Sequence, residues 1–329
     1  MYKVDYIWIS GPDSIREIPF TIKCKTKILD LDVKDIPQWN FDGSSTEQAT
    51  LEKSEIMIVP RRIYNNPFGK EYDKLVICDT FIKDNHIIKP HPTNTRHKAE
   101  EIFKKYGESK PWYGIEQEFF LIDNKTKKPL GFSNDTNSQD QYYCSVGSLN
   151  SNGRIIIDEI VEKANYAGIN VTGYNSKKYP GQWEIQILNE GINAGDDIWV
   201  LRYIMERITE KYNFHISFNP KPLKNDWEES SAHVNFSTLK MREEGGLNLI
   251  IEAIEKLQKK HTEHIKEIYN RENYRQFTYG IGDRTTSVRI SNDTYHLNCG
   301  YFEDRRPLSS MDPYIVTSKI LETISLENN

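Results

Sequence analysis

Cysteine is scarce: Cys24, Cys78, Cys144 and Cys299 are scattered through 329 residues with no C-x-x-C pair. That pattern favours free thiols in a reducing compartment, the cytoplasm, over a disulfide framework or a cysteine zinc site. No apolar run reaches the roughly 18 residues a membrane-spanning helix needs. The first residues, Met1-Tyr2-Lys3-Val4-Asp5-Tyr6-Ile7-Trp8, carry an acid and lack the apolar stretch of a signal peptide. A basic excess is also missing, because 43 Lys and Arg face 48 Asp and Glu, for a net charge of −5. This balance argues against nucleic acid as the main partner. There is no tandem repeat, no low-complexity tract and no G-x-x-x-x-G-K-[ST] phosphate loop.

What remains is an ordinary globular composition, 37% hydrophobic and 28% charged, over a length that suggests about two domains. The first ninety or so residues read as strands and turns, with Tyr6–Ile9, Phe20–Ile22, Glu55–Val59 and Lys74–Cys78 as strands. Lys89-Pro90-His91-Pro92-Thr93-Asn94 holds two prolines before a helix cap, which places a boundary between residues 1–92 and 93–329.

Helices then alternate with strands. A helix is expected over about 94–106. Ile157, Ile160, Val161, Ala164 and Ala167 mark a second, stopped by Gly168. Ile198, Leu201, Ile204, Met205 and Ile208 mark a third. Apolar positions from Leu247 to Ile268 mark one long helix whose stripe includes His261, read as a packed core histidine. Asp312-Pro313 caps the last. Arg61-Arg62 reads as a solvated pair or a subunit contact, and Tyr142-Tyr143-Cys144 as loop packing.

Five strands each carry one unusual face. Residues i and i+2 share a face of a strand. Glu116 and Glu118 therefore oppose Ile115, Phe119 and Leu121, and Glu184 opposes Trp183, Ile185 and Ile187, with Glu190 just beyond. His233, Asn235 and Ser237 oppose Val234 and Phe236; Arg284 and Arg289 bracket another strand; Tyr301, Glu303 and Arg305 share a face. Any one polar face ordinarily looks at water. If the five converge, Glu116, Glu118, Glu184, Glu190, Glu303 and His233 form an oxygen-rich set suited to Mg²⁺ or Mn²⁺. That many carboxylates implies at least two ions, with Arg284, Arg289 and Arg305 as phosphate or carboxylate clamps. Such a cleft suits phosphoryl transfer from a nucleotide.

Trp39-Asn40-Phe41-Asp42-Gly43-Ser44-Ser45-Thr46 resembles the N-terminal signature of eukaryotic-type (class II) glutamine synthetase. Trp112–Glu118, Gln182–Ile187 with Glu190-Gly191, Asn219–Pro222, His233–Thr238 and Gly300–Pro307 resemble its catalytic signatures, in its order. The resemblance implies an α+β protein, with a small N-terminal β-grasp domain and an α/β catalytic domain built on a curved antiparallel sheet. It implies ATP-dependent ligation of ammonia to glutamate through a γ-glutamyl phosphate, with ATP as co-substrate and two or three Mg²⁺ or Mn²⁺ ions. It also implies a homo-oligomer, a decamer of two pentameric rings, whose sites are shared between neighbouring chains. In this reading Glu116, His233 and Glu303 hold one metal, and Glu118, Glu184 and Glu190 another. Asn235 and Ser237 lie near the nucleotide, Arg284 and Arg289 hold phosphates, and Arg305 meets glutamate or its phosphorylated carboxylate. Asp42, otherwise readable as a turn residue, binds ammonium and takes its proton.

The sequence departs from the family in one area. The family's flap, of the form R-L-T-G-x-H-E-T, is missing between Tyr269 and Arg284, and its glutamate with it; Glu272 is out of register. The arginine that grips the substrate α-carboxylate aligns with Gln276, leaving Arg275 as nearest replacement, so that Glu190, Arg275 and Arg305 are the expected substrate contacts. The family's W-N-G-A-G-x-H reads Trp227-Glu228-Glu229-Ser230-Ser231-Ala232-His233, which puts acids beside an anionic substrate. Two alternatives to glutamine synthesis follow: a non-catalytic or impaired ring protein, and a ligase for a different amine or acid.

Overall fold

Period-two alternation dominates the first ninety residues and builds one sheet. A computed structural model of the chain describes residues 1–30, 35–84, 87–133, 141–223, 227–267 and 276–326. The strands are β1 (Tyr2–Ser10), β2 (Thr21–Leu29), β3 (Trp39–Asp42), β4 (Glu55–Asn65), β5 (Lys74–Asp84) and β6 (Ile87–Pro90). They are ordered β2-β1-β5-β4-β3, with β6 on β5; β1 and β5 are parallel and the other pairs antiparallel. β1 is apolar on both faces. Val4, Tyr6 and Trp8 join Phe41, Ile56, Ile58 and Val76 in a small core, whereas Ile7 joins Leu75 and Ile77 in the main one.

The rest alternates as its periodicity predicts: α1 (Thr95–Tyr106), β7 (Trp112–Asp123), α2 (Arg154–Ala167), β8 (Val171–Ser176), β9 (Gln182–Glu190), α3 (Asn193–Thr209), β10 (Phe214–Ser217) and β11 (Ala232–Ser237). Then come α4 (Leu239–Arg242), α5 (Leu247–Lys259), α6 (His261–Glu267), β12 (Tyr279–Ile281), β13 (Val288–Ile290), α7 (Asn292–Leu297), β14 (Phe302–Asp304) and α8 (Pro313–Ser325). Both sequence-predicted caps form: Asn94 accepts from the His97 N–H at 3.2 Å, and Asp312 from the Tyr314 N–H at 2.8 Å. Gly168 ends α2 with φ of 99°, a left-handed conformation that favours glycine.

The second sheet runs β12-β13-β14-β11-β7-β9-β8, with β10 also on β7, and is antiparallel except for β12–β13. The apolar faces of its strands bury Ile115, Phe119, Trp183, Ile185, Val234 and Phe302 against α2, α3, α5 and α8. The fold is therefore α+β, as the resemblance implied.

Two buried aspartates at the start of α3 tie the layers together. Asp196 takes both arms of Arg96 from α1, at 2.8 and 3.1 Å, and the Tyr314 hydroxyl of α8 at 2.6 Å. Asp197 pairs with Arg62 at 3.0 Å and accepts from the Tyr64 hydroxyl at 2.9 Å, both on β4. Arg61 meets Asp79 at 2.6 Å. Arg61 and Arg62 thus each pair with a buried carboxylate, on β5 and α3, while Arg61 stays exposed and Arg62 half-buried.

One helix differs from expectation. The apolar stripe from Leu247 breaks at Lys260, where φ is −97° and ψ is 7°. The break shifts the phase, so His264 and Ile265 turn into the core while His261 stays half-buried against the Phe277 ring. His264, not His261, is the core histidine.

Candidate functional site

Register brings the odd strand faces together. Glu116 stands across from His233, Asn235 across from Glu303, and Glu303 across from Arg289. These pairs lie on four neighbouring strands, β7, β11, β14 and β13. Side chains on directly opposed residues of one sheet face touch. His233 Nδ1 sits 3.5 Å from Glu116 Oε2 and 3.2 Å from Glu303 Oε1. Asn235 Nδ2 donates to Glu116 Oε1 at 2.8 Å. Arg305 Nη1 pairs with Glu303 Oε1 at 2.6 Å, and Arg289 Nε with its other oxygen.

The electrostatics follow from burial and partners. Burial would lower the His233 pKa, but hydrogen bonds to Glu116 and Glu303 push it up to about 9. Burial would raise the Glu303 carboxyl, yet His233, Arg305 and Arg289 hold it well below the usual carboxylate range. Glu116 is likewise held low by His233 and Asn235 against the effect of burial. Ligand atoms of Glu116, His233 and Glu303 all lie within 4.8 Å of one another. Two carboxylates and an imidazole fit a divalent ion such as Mg²⁺ or Mn²⁺, which would replace the bridging proton. A second such group, Asp79, His97 and Glu100, lies between β5 and α1, where Arg61 already neutralises Asp79.

Glu118 and Glu184 also face each other across β7 and β9, but a protein cation lies between them. Lys177 Nζ is 2.8 Å from Glu118 Oε1 and 2.6 Å from Glu184 Oε2. Opposing charges raise the pKa of this lysine although burial acts to lower it. Glu190 is not with them. It pairs with Trp112, six residues from Glu118 along β7, and its Oε2 accepts from the Trp112 indole at 3.2 Å. Glu190 thus stands apart from Glu118 and Glu184 along β9: spacing shows that residues share a face, but not how far apart they stand along it.

The sequence reading missed Lys177. It lies in the hairpin Lys177-Lys178-Tyr179-Pro180-Gly181, where Ser176 pairs with Trp183 and the Lys177 N–H donates to Gln182 at 2.9 Å. Lys177 is thus a diagonal neighbour of Glu184, within reach of a long side chain. The Pro-Gly turn was the available signal. Gly181 has φ of +69°, and a Cβ there would lie 2.8 Å from Leu130 N and 2.9 Å from its carbonyl oxygen, so the turn requires glycine. Lys178 points the other way, to Glu228 at 2.7 Å in an exposed pair.

Other expected site residues scatter. Ser237 accepts from Arg242 at 3.0 Å, and Arg242 stacks on the Trp112 ring at 4.1 Å, so Ser237, Arg242, Trp112 and Glu190 form a separate group. Arg284 is exposed in the turn before β13. Asp42 is exposed at the end of β3, its carboxylate held by the Ser44 N–H at 3.0 Å and the Ser44 and Ser45 hydroxyls at 2.6 and 2.7 Å. Arg275 and Glu272 lie outside the described residues.

Residues 90–269 match the family described as "Glutamine synthetase, catalytic domain". The chain is 46% identical to a putative glutamine synthetase of Acanthamoeba polyphaga mimivirus, over 98% of this chain and 93% of that protein. It is 43% identical to glutamine synthetase cytosolic isozyme 1-5 of Arabidopsis thaliana, over 98% and 94%. It is 44% identical to the cytosolic isozyme of Medicago sativa, over 98% and 93%. A solved structure described as "Apo GmaS without ligand" superposes with a TM-score of 0.74 at 18% identity, covering 97% of this chain and 76% of that one, and supports the fold.

Proposed function

The chain belongs to the glutamine synthetase family, of the eukaryotic type, and from that premise we propose that it is a glutamate–ammonia ligase consuming ATP. The observation that carries the reading is the row Arg289–Glu303–His233–Glu116 on one sheet face, within a chain 46% identical to a glutamine synthetase relative over nearly its whole length.

The chemistry explains the parts. A carboxylate does not react with an amine, because oxide would have to leave. A γ-carboxylate oxygen of glutamate attacks the γ-phosphorus of ATP, the bond to the ADP oxygen breaks, and an acyl phosphate forms. Ammonia then attacks the acyl carbon, phosphate leaves with its electron pair, and the surplus proton goes to a carboxylate. Glu116, His233 and Glu303 would hold a divalent ion, which would supply charge neutralisation for the phosphoryl group. Glu303 holds Arg289 and Arg305 at the same place, where they stabilise the negative charge of the transferring phosphoryl. Asn235 orients Glu116. Trp112, Ser237 and Arg242 form a half-exposed aromatic and polar group suited to the nucleotide base and ribose. Arg284, exposed in the turn before β13, is placed to meet phosphate. In a ring-shaped homo-oligomer, Asp42 of one chain attracts ammonium to the site of the next and takes its proton. The proposed location is the cytoplasm, by analogy with the cytosolic plant relatives.

The test is glutamine formation from glutamate, ammonium and ATP with Mg²⁺ or Mn²⁺, alongside γ-glutamyl transfer with Mn²⁺ and ADP. Absence of product in both assays at every glutamate concentration would overturn the reading.

A further inference from the structure

The buried carboxylates of the site are already balanced by protein cations. Glu116, Glu118, Glu184 and Glu303 face Lys177, Arg289, Arg305 and the bridging His233. The two halves differ in how firmly the balance is made. At Glu116 and Glu303 the bridging group is an imidazole, itself an ordinary ligand of divalent ions.

At Glu118 and Glu184 every carboxylate oxygen has a protein donor. Glu118 Oε2 accepts from the Ser231 N–H at 2.8 Å and Oε1 from Lys177 at 2.8 Å. Glu184 Oε1 accepts from Gln186 Nε2 at 2.8 Å and Oε2 from Lys177 at 2.6 Å. A divalent ion entering here would have to break the lysine bridge and leave an ammonium with 18% side-chain exposure unpaired beside a dication. Lysine is a compact point charge, and its tether cannot exchange with solvent.

We propose that Lys177 is the resident cation of this half of the site: its ammonium permanently takes the place between Glu118 and Glu184 that a second divalent ion would otherwise occupy. The centre then holds one exchangeable ion, at Glu116, His233 and Glu303. The placement of that ion rests on the proposed function; the lysine bridge does not. Lys177 contributes one positive charge where an ion would contribute two, and it offers no open coordination position to water or substrate. It is a positioning and neutralising residue for the carboxylate pair.

Ion counting tests this without reference to turnover. The full-length protein, without nucleotide, is titrated with Mn²⁺ and free ion is followed by electron paramagnetic resonance. Expected are one ion per chain in the wild type, its loss in His233→Ala, its retention in Glu184→Gln, and a second ion in Lys177→Glu or Lys177→Gln. Two ions in the wild type, loss of the ion in Glu184→Gln, or a count of one in both folded lysine variants would overturn the proposal. Should neither lysine variant fold, the wild-type and Glu184→Gln counts decide it. A wild-type count of zero strikes the Glu116 centre and the proposed function, whereas a gain of one ion in a lysine variant still supports the lysine.

Discussion

His233 Nδ1 lies 3.2 Å from Glu303 Oε1, across the seam between β11 and β14. On its other side the same nitrogen faces Glu116 on β7. Removing the Glu303 charge therefore acts twice. It weakens one candidate metal ligand, and it leaves Arg289 and Arg305 a neutral amide with one acceptor oxygen in place of their shared carboxylate. For Glu303→Gln we expect Mn²⁺ affinity to fall by roughly 10–100-fold or more, and glutamine formation with it. Equilibrium Mn²⁺ titration beside steady-state kinetics checks this. Unchanged affinity would show that the ion binds elsewhere.

Asp196 is a stability residue. It is fully buried and takes a two-armed bond from Arg96, at 2.8 and 3.1 Å, joining α1 to α3. Asp196→Asn keeps the shape but leaves the guanidinium buried without its counter-charge, which costs about 3–5 kcal/mol. Urea unfolding of the variant should show a lower midpoint with an unchanged slope. A shift under about 1 kcal/mol would mean that Arg96 finds another carboxylate.

What was legible in the sequence was local or periodic. The caps at Asn94 and Asp312 declare themselves within three residues, and the alternation in Ile115–Leu121 fixes which way Glu116 points. Three features depend on long-range geometry that one strand cannot encode. Glu190 shares a face with Glu184 yet stands at the far end of β9, beside Trp112. Lys177 meets Glu118 and Glu184 only because β8 folds back on β9 through Pro180-Gly181. Arg289 and Arg305 read as phosphate clamps, but both hold Glu303. The apolar stripe of α5 and α6 was legible, but the break at Lys260 that exchanges the roles of His261 and His264 was not.

His264 makes stability depend on pH. Burial, with the charge of Arg306 adding to it, lowers its pKa from 6.5 to about 3. Between those values the unfolded chain binds a proton that the folded chain refuses. Stability is therefore intact above about pH 6.5 and falls as pH drops below it, by about 1.4 kcal/mol per unit for this one group. Carboxylates titrate in the same range, so the informative quantity is a difference. Denaturation of wild type and His264→Gln at pH 7.5, 6.5 and 5.5 should give a steeper loss in the wild type. Parallel curves would mean that His264 takes up its proton while folded.

Glu228 and Glu229 add negative charge beside the segment that leads into β11. Glu228 is 67% exposed and pairs with Lys178, itself 50% exposed, so their mutual neutralisation is weak. If glutamate approaches past this wall, the double variant Glu228→Gln with Glu229→Gln should lower its KM several-fold at low salt. Raising salt to 0.5 M should shrink the gain, since screening shortens the reach of exposed charges. A KM that ignores both the substitution and the salt would place the glutamate path elsewhere.

If Asp42 takes the proton of ammonium, as proposed, its removal separates the two half-reactions. Its carboxylate is fully exposed, and hydrogen bonds from the hydroxyls of Ser44 and Ser45, with the Ser44 N–H, hold its pKa below the usual range. The group is thus ionised throughout the neutral range, which suits attraction of ammonium more than retention of a proton. Phosphorylation of glutamate needs neither role. Asp42→Asn keeps a side-chain oxygen to cap the turn Gly43–Thr46, so the fold is spared while the charge is lost. The variant should show a raised KM for ammonium and a loss in glutamine formation on the order of 10²–10⁴-fold. Glutamate-dependent phosphate release from ATP should persist, because water consumes the acyl phosphate that ammonia no longer reaches. The readout is the ratio of phosphate to glutamine in one reaction: a rise well above that of the wild type assigns Asp42 to the ammonia step. An equal fall in both products would assign it instead to the binding of ATP or glutamate.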